Sequence, residues 1–365
     1  MNIFIEWALL CLATEAAVIA VHLLLRKKQS GRKARIVTII SEFLVSVACA
    51  TIVLAGPVSF RPVQPFLFAL YAVLFADAAG LTVYYLICAI AKKDRKTVIS
   101  RVICAVFAVA FIVYGTVNMQ IVKPDYHTYY SPKISGETKI VFAADIHVGG
   151  SQPFEVTEKT VKAMLSENAD CIILGGDITD DYTTAEEMKN MFALFAGSET
   201  PVYYVYGNHD RQAHADYAKG RQFTEEELAE TLAACGITAL IDEYAAVNDE
   251  LVILGREDDS VSTRKDIKDL PANPNESAYL VVADHQPVKA DENLETGMDL
   301  QLSGHTHAGQ LFPLGLLYRV IGASCGEYKT GNALLYVSPG ACGWRMPIRT
   351  QSQCRYEVIT LMPMK

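Results

Sequence analysis

Five apolar, strand-like runs in this chain each end in a short polar motif, and that recurrence limits the fold more than any other feature. Lys139 to Ala144 leads into Asp145-Ile146-His147, Cys171 to Leu174 into Gly176-Asp177, and Val202 to Tyr206 into Gly207-Asn208-His209-Asp210. Ala278 to Ala283 leads into Asp284-His285, and Met298 to Leu302 into Ser303-Gly304-His305-Thr306-His307. Amphipathic helical patterns at Glu155 to Glu167, Ala185 to Phe195 and Thr224 to Cys235 separate the earlier runs. Asp145 and Asp177 are 32 residues apart, and Asp177 and Asn208 are 31 apart. A strand with its returning helix takes roughly 30 residues, so the spacing predicts βαβ units with each motif at a strand's C-terminal end. That edge is where open α/β sheets hold their ligands. Past Cys235 the pattern turns strand-rich, with further runs at Leu251 to Leu254, Ala333 to Val337 and Tyr356 to Leu361, which predicts a second sheet packed on the first.

Five of the eight histidines fall in these motifs. Taken singly, each motif has an ordinary structural use. An Asp after a strand can cap a helix, and Asn-His-Asp can make a turn. Taken together, Asp145, His147, Asp177, Asn208, His285, His305 and His307 form a mixed set of carboxylate, amide and imidazole donors. Such a set suits divalent Mn, Zn or Fe better than a thiolate-selecting ion. Seven donors are too many for one ion with an open position and about right for two, with Asp177 the central candidate to bridge them. Two such ions ~3.5–4 Å apart can clamp a phosphoryl group between attacking and leaving oxygens. His209 is not needed as a ligand. It is expected to protonate a leaving group or hold a phosphate oxygen, with Asp210 or Asp180 orienting it.

The first third of the chain is of another kind. The chain is 51% hydrophobic, and the excess lies in four runs: Asn2 to Leu25, Ile36 to Gly56, Phe66 to Ala91 and Thr97 to Met119. Each is long enough to cross ~30 Å of hydrocarbon as a helix. Arg26, Lys27, Lys28, Arg32, Lys33 and Arg35 fill the first connection, and Lys92, Lys93, Arg95 and Lys96 the third; the second has only Arg61. Positive loops stay cytoplasmic, so a multi-pass protein of the cell membrane is expected, with everything after the fourth span extracytoplasmic. Glu15, Glu42 and Asp77 lie within the runs and are read as structural. The expected division is a four-helix membrane region over 1–120, a linker over 121–137 whose Tyr126, Tyr129 and Tyr130 suit the headgroup belt, and a catalytic domain over 138–365. The net charge is +7 through Glu137 and −16 from Thr138 onward. An acidic domain of this kind lacks the basic footprint of a nucleic-acid binder, and no feature calls for a protein partner.

In this order, Asp145-x-His147, Gly176-Asp177-x-x-Asp180, Gly207-Asn208-His209-Asp210, His285 and Gly304-His305-x-His307 resemble the signature of the calcineurin-like metallophosphoesterases, over about Lys139 to Leu361. Gly-His-Thr-His-Ala-Gly-Gln-Leu-Phe-Pro is similar to a bacterial membrane-anchored branch of that family. The resemblance implies a four-layer α/β/β/α sandwich with a dinuclear centre. By motif, Asp145, His147, Asp177 and His307 would hold one ion, and Asp177, Asn208, His285 and His305 the other. His209 would be the catalytic histidine. The implied activity is hydrolysis of a phosphoester, a diester before a monoester. Displacement at phosphorus would be direct, with no covalent enzyme intermediate.

Two further stretches bear on substrate and compartment. Leu311 to Ile321 is an apolar run that is either core or a membrane or ligand contact; with the bilayer adjacent, a lipid-linked or envelope phosphoester is a reasonable expectation. Cys325, Cys342 and Cys354 lie close enough in sequence for a disulfide in an oxidising compartment, whereas the other cysteines read as small core residues. Rival readings are a pyrophosphohydrolase of nucleotide-linked lipids and a non-hydrolytic sensor or transporter for phosphorylated ligands. His22, His127 and His214 carry no assigned role.

Overall fold

The computed structural model describes residues 97–364 except 214–219, 313–314, 316–318, 320–324 and 345, together with 40, 80, 83–84 and 86–92. Two compact units partition the chain, one of residues 1–117 with 345–348 and one of 118–344 with 349–365.

In the first unit the described secondary structure is chiefly helix α1 (Thr97–Met119), whose last two residues belong to the second unit. Among the described residues it is the one helix long and apolar enough to cross a membrane, with a mean hydropathy of 2.2 over Val102–Met119. Val102, Val106, Val109, Val113 and Val117 recur at helical spacing and are all exposed, whereas Cys104, Ala108 and Ile112 are buried. An exposed valine stripe of this length would be costly in water and is ordinary in lipid. The first expected span and Asp77 lie outside the described residues; of the second only residue 40 is described, and of the third residues 80, 83–84 and 86–91.

The second unit contains two six-stranded mixed sheets. The first runs β1 (Val122–Ser131), β12 (Cys354–Pro363), β2 (Thr138–Ala143), β3 (Cys171–Gly175), β4 (Val202–Val205) and β5 (Ile237–Ala239). The second runs β10 (Gly326–Thr330), β11 (Ala333–Val337), β9 (Leu300–Ser303), β8 (Tyr279–Ala283), β7 (Leu251–Gly255) and β6 (Glu243–Ala246). In the first sheet β2 to β5 are mutually parallel. In the second, β11, β9, β8 and β7 are parallel, with antiparallel strands at both edges. Strands β3, β4, β7, β8 and β9 are buried at every residue, which explains why all but β9, with its Gln301 and Ser303, read as continuous apolar runs. Phe142, Ile173 and Val205 of the first sheet share a buried cluster with Ile253, Val281 and Leu302 of the second, so a dry core joins the two faces.

Three helices cover the outer face of the first sheet: α2 (Phe154–Ser166), α3 (Ala185–Ala193) and α4 (Glu225–Ala234). Thr184 with Glu187 and Thr224 with Glu227 form capping boxes that fix where α3 and α4 begin. The layer on the second sheet is thinner than a full helical fourth layer. Among the described residues it consists of single turns such as Ile267–Asp269 and Leu294–Thr296 and one four-residue helix, α5 (Ala290–Asn293). Pro271 and Pro274 interrupt the β7–β8 connection where a longer helix would have to run.

The segment expected as a linker is also corrected. Val122 to Ser131 is a strand, paired in parallel with β12 along its whole length. Its inward positions are polar, which hid the alternation: His127 Nε2 lies 3.1 Å from Oε2 of the buried Glu357, which also accepts from Tyr336 and Ser338. Burial alone would lower the His127 pKa, but the hydrogen bond and charge of Glu357 outweigh it and raise the value. The pair therefore stabilises the fold fully below the ordinary histidine pKa and loses that contribution as pH rises through the raised one. His127→Ala is expected to cost about 1–3 kcal/mol at pH 6 and less at higher pH, since it leaves a buried acceptor one donor short. Urea melts at a series of pH values check this, and a cost independent of pH would refute the linkage. Cys325, Cys342 and Cys354 are free thiols, so no disulfide joins them.

Candidate metal centre

Five strand ends deliver the motif residues, several of them through tight turns of unusual backbone. Asp145 (φ 55°), His147 (φ 45°), Asp177 (φ 51°), His305 (φ 69°) and His307 (φ 48°) all adopt left-handed conformations that non-glycine residues avoid. Strain of this kind persists only where surroundings enforce it. Here neighbouring turns bond to one another: Asp145 N–H donates to Gly176 O (3.0 Å), His147 N–H to Asp177 O (3.0 Å) and Gly304 N–H to His285 O (2.9 Å). His305 N–H donates to the Asp145 carboxylate at 3.0 Å, linking the second sheet's turn to the first sheet's.

Glycines make the close approach feasible. A Cβ on Gly207 would lie 2.2 Å from Asp177 Oδ1 and 2.4 Å from the Asp177 backbone nitrogen. Gly207→Ala is therefore expected to cost about 1–3 kcal/mol by overpacking and to displace the Asp177 carboxylate. Metal analysis of the purified variant checks this, and full metal retention would contradict it.

Six of the seven expected donors, all but Asn208, come together as two groups, one of which contains Asp177. In the first, His147 Nε2 lies 4.0 Å from Asp145 Oδ1, His307 Nε2 lies 3.5 Å from the same oxygen, and the two imidazole nitrogens are 3.3 Å apart. In the second, Asp177, His285 and His305 present their ligand atoms within 4.8 Å of one another. Asp177 Oδ2 faces both, 3.1 Å from His285 Nε2 and 3.8 Å from His147 Nε2.

The donor atoms fit cations. His307 Nδ1 is held by Cys342 O (3.2 Å) and His285 Nδ1 by Gly175 O (2.9 Å). A carbonyl only accepts, so both Nδ1 atoms carry protons, and a neutral ring at either position aims an Nε2 lone pair into the site. Asn208 Oδ1 is buried without a hydrogen-bond partner, and His285 Nε2 faces only the Asp177 carboxylate. Buried acceptors left in this condition are costly unless a cation satisfies them. Asp180 Oδ2 stands 3.0 Å behind His147 Nδ1, the carboxylate–histidine arrangement that orients metal-binding imidazoles.

The electrostatics divide the four imidazoles: burial opposes a charge on all of them, but Asp177 raises His285 and Asp180 raises His147, whereas His305 and His307 are lowered. Burial pushes Asp145 up, with the His285 charge opposing and Asp177 assisting, to about 6. Burial also disfavours ionised Asp177, but the His285 charge dominates and holds the carboxylate well below its usual range. Burial and the neighbouring His285 charge lower His305 to about 4. Burial, His147 and Arg349 together hold His307 well below the ordinary imidazole value. Two of the four imidazoles are thus kept in the unprotonated, ligating form.

His209 lies beside the groups, its ring centroid 5.5 Å from that of His147. Its orienting acid is neither of the two expected. Asp181 Oδ2 sits 2.6 Å from His209 Nδ1. Burial works against the imidazolium, but that contact and the nearby carboxylates raise His209 to about 9. Asp210 instead accepts from the N–H groups of Asp177 (2.8 Å), Gly207 (2.7 Å) and Thr179 (2.9 Å), tying the β3 and β4 turns together. Asp210 is a positioning residue, because its carboxylate is filled by backbone donors. The one sequence signal for Asp181 was the Asp180-Asp181 doublet. Trp344, its ring centroid 5.3 Å from that of His209, carried none. Leu311 is buried and Phe312 partly exposed; most of the apolar run after them lies outside the described residues.

Residues 138–309 match the family described as calcineurin-like phosphoesterase. A Danio rerio protein named transmembrane protein with metallophosphoesterase domain is 28% identical over 73% of this chain and 63% of its own length. An uncharacterized metallophosphoesterase of Helicobacter pylori is 28% identical over 64% of this chain and 62% of its own. The Escherichia coli protein named phosphodiesterase YaeI is 28% identical over 47% of this chain and 62% of its own. The matched region spans about three-fifths of each relative's length. The strand-end motifs, the two mixed sheets and the paired donor groups accord with that match: the chain carries a calcineurin-like phosphoesterase domain over residues 138–309.

Proposed function

We propose that the protein is a membrane-anchored phosphoester hydrolase using two divalent ions of the Mn, Zn or Fe type. Asp145, His147, Asp177 and His307 would hold one ion, and Asp177, Asn208, His285 and His305 the other. The observation that carries this reading is the Asp177 carboxylate facing both buried donor groups, with Asn208 Oδ1 buried and without a hydrogen-bond partner. Bound, the ions would supply Lewis-acid neutralisation of the phosphoryl oxygens and an acidified water.

The chain's own residues supply the rest. Asp210 and Gly207 fix the turn that aims Asp177 and Asn208. His209, protonated and oriented by Asp181, holds a phosphate oxygen or donates its proton to the departing oxygen. The name of the E. coli relative supports a diester before a monoester. The exposed valine stripe of α1 and the basic loops before it support a bilayer anchor with the domain outside the cytoplasm, where a lipid-linked or envelope phosphoester is the substrate proposed. The test is a metal-stripped full-length preparation in detergent, restored with Mn, Zn, Fe or Mg and assayed on chromogenic diester and monoester substrates. Metal-dependent turnover supports the reading; two bound ions with no turnover of either substrate, soluble or lipid-embedded, would defeat it.

A further inference from the structure

We infer that Arg349 is the positioning residue that assembles the Asp145–His147–His307 half of the centre. Arg349 is fully buried. A buried guanidinium is ordinarily paired with a carboxylate. The hydrogen bonds of this one run instead to main-chain carbonyls, one hydroxyl and one thiol. Nη1 donates to Cys342 O (2.7 Å), Nη2 to His307 O (3.0 Å) and to Pro339 O, and Nε to Ser352 Oγ (2.8 Å). Nη1 also lies 3.7 Å from Cys354 Sγ.

Each carbonyl belongs to a segment that shapes that half of the centre. Cys342 O is the acceptor of His307 Nδ1–H, so the guanidinium fixes the atom that sets the His307 ring and its tautomer. His307 O anchors the same residue's left-handed backbone from the other side. Pro339 and Cys342 bracket a loop whose Ala341 N–H donates to Ala144 O (2.9 Å) and whose Cys342 N–H donates to Asp145 O (2.8 Å). Gly340 in that loop packs so closely that a Cβ would lie 2.7 Å from Asp145 Cβ. One planar fork therefore ties the His307 turn to the loop that backs Asp145, across 42 residues of sequence. Apart from the turn that His305 shares with His307, where the bond is made at His307 itself, no side-chain bond of Arg349 reaches the turns of Asp177, Asn208 or His285, so its effect falls mainly on one half of the centre.

This assignment rests on the two-ion reading above, and the test separates them. Full-length wild type, stripped of metal, is titrated with Mn²⁺ by calorimetry and followed by electron paramagnetic resonance, which distinguishes coupled from isolated ions. Wild type should take up two ions, and fewer than two would overturn the two-ion reading and this assignment with it. Arg349→Met should take up one, giving an isolated-ion spectrum. Arg349→Lys keeps the charge but not the fork, and should weaken one ion by about 10–100-fold while sparing the other. Phe192→Leu, a core truncation under the helices, controls for general destabilisation and should keep two ions. If Arg349→Met fails to fold, Arg349→Lys decides. Two ions at wild-type affinity, or equal loss of both, would overturn the assignment.

Discussion

Asp177→Asn is expected to reduce the bound metal from two ions to at most one and to lower turnover about a thousandfold, roughly 4 kcal/mol of barrier. The change is nearly isosteric. Asp177 Oδ1 accepts the His209 N–H at 2.8 Å, a bond that the amide oxygen of Asn can keep, so the turn should survive. What is lost is the negative charge at Oδ2, which faces His285 on one side and His147 on the other. The remaining donor groups would then hold their cations with a single nearby carboxylate, Asp145, serving only one of them. Metal analysis beside steady-state kinetics on a chromogenic diester checks both halves. Retention of two ions with turnover within tenfold of wild type would remove Asp177 from the centre of the mechanism.

His209→Ala should behave differently. Two ions should remain, and kcat should fall by about 10²–10⁴, the range for losing a positioned proton donor. The difference arises because His209 touches the centre through its backbone N–H to Asp177, which alanine retains, whereas its ring projects beside the donors. Asp181→Asn should reproduce part of the loss, since the Asp181 carboxylate at 2.6 Å holds the ring in place and keeps it protonated. A substrate whose leaving group needs no proton, such as a nitrophenyl ester, should be hurt less than an alkyl ester. Equal losses on both would reassign His209 to binding a phosphate oxygen. Loss of metal in His209→Ala would instead make it a ligand.

How far the sequence could be read depended on where the signal was stored. Strands β3, β4, β7 and β8 were visible because burial on both faces leaves an unbroken apolar run. Strand β1 was not, since its inward His127 and Tyr129 meet polar partners, Glu357 and Glu327, so the strand has the composition of a loop. The thin cover of the second sheet was likewise hidden. Prolines such as Pro271 forbid a helix but do not say what replaces it.

By itself the sequence determined the α/β class and the strand-end location of the candidate donors, because chemical identity and spacing along the chain suffice for those. The orienting acid of His209 was decided only by the tertiary structure. Asp180, Asp181 and Asp210 are all carboxylates within a few residues of the right turns, and the fold gives each a different target: His147, His209 and the backbone amides of the β3 and β4 turns. The same holds for Arg349, whose carbonyl partners at Cys342, His307 and Pro339 are main-chain atoms. Every residue carries such a carbonyl, so no side-chain pattern can announce which ones a buried guanidinium will gather. Only the folded path of the chain brings them to one point.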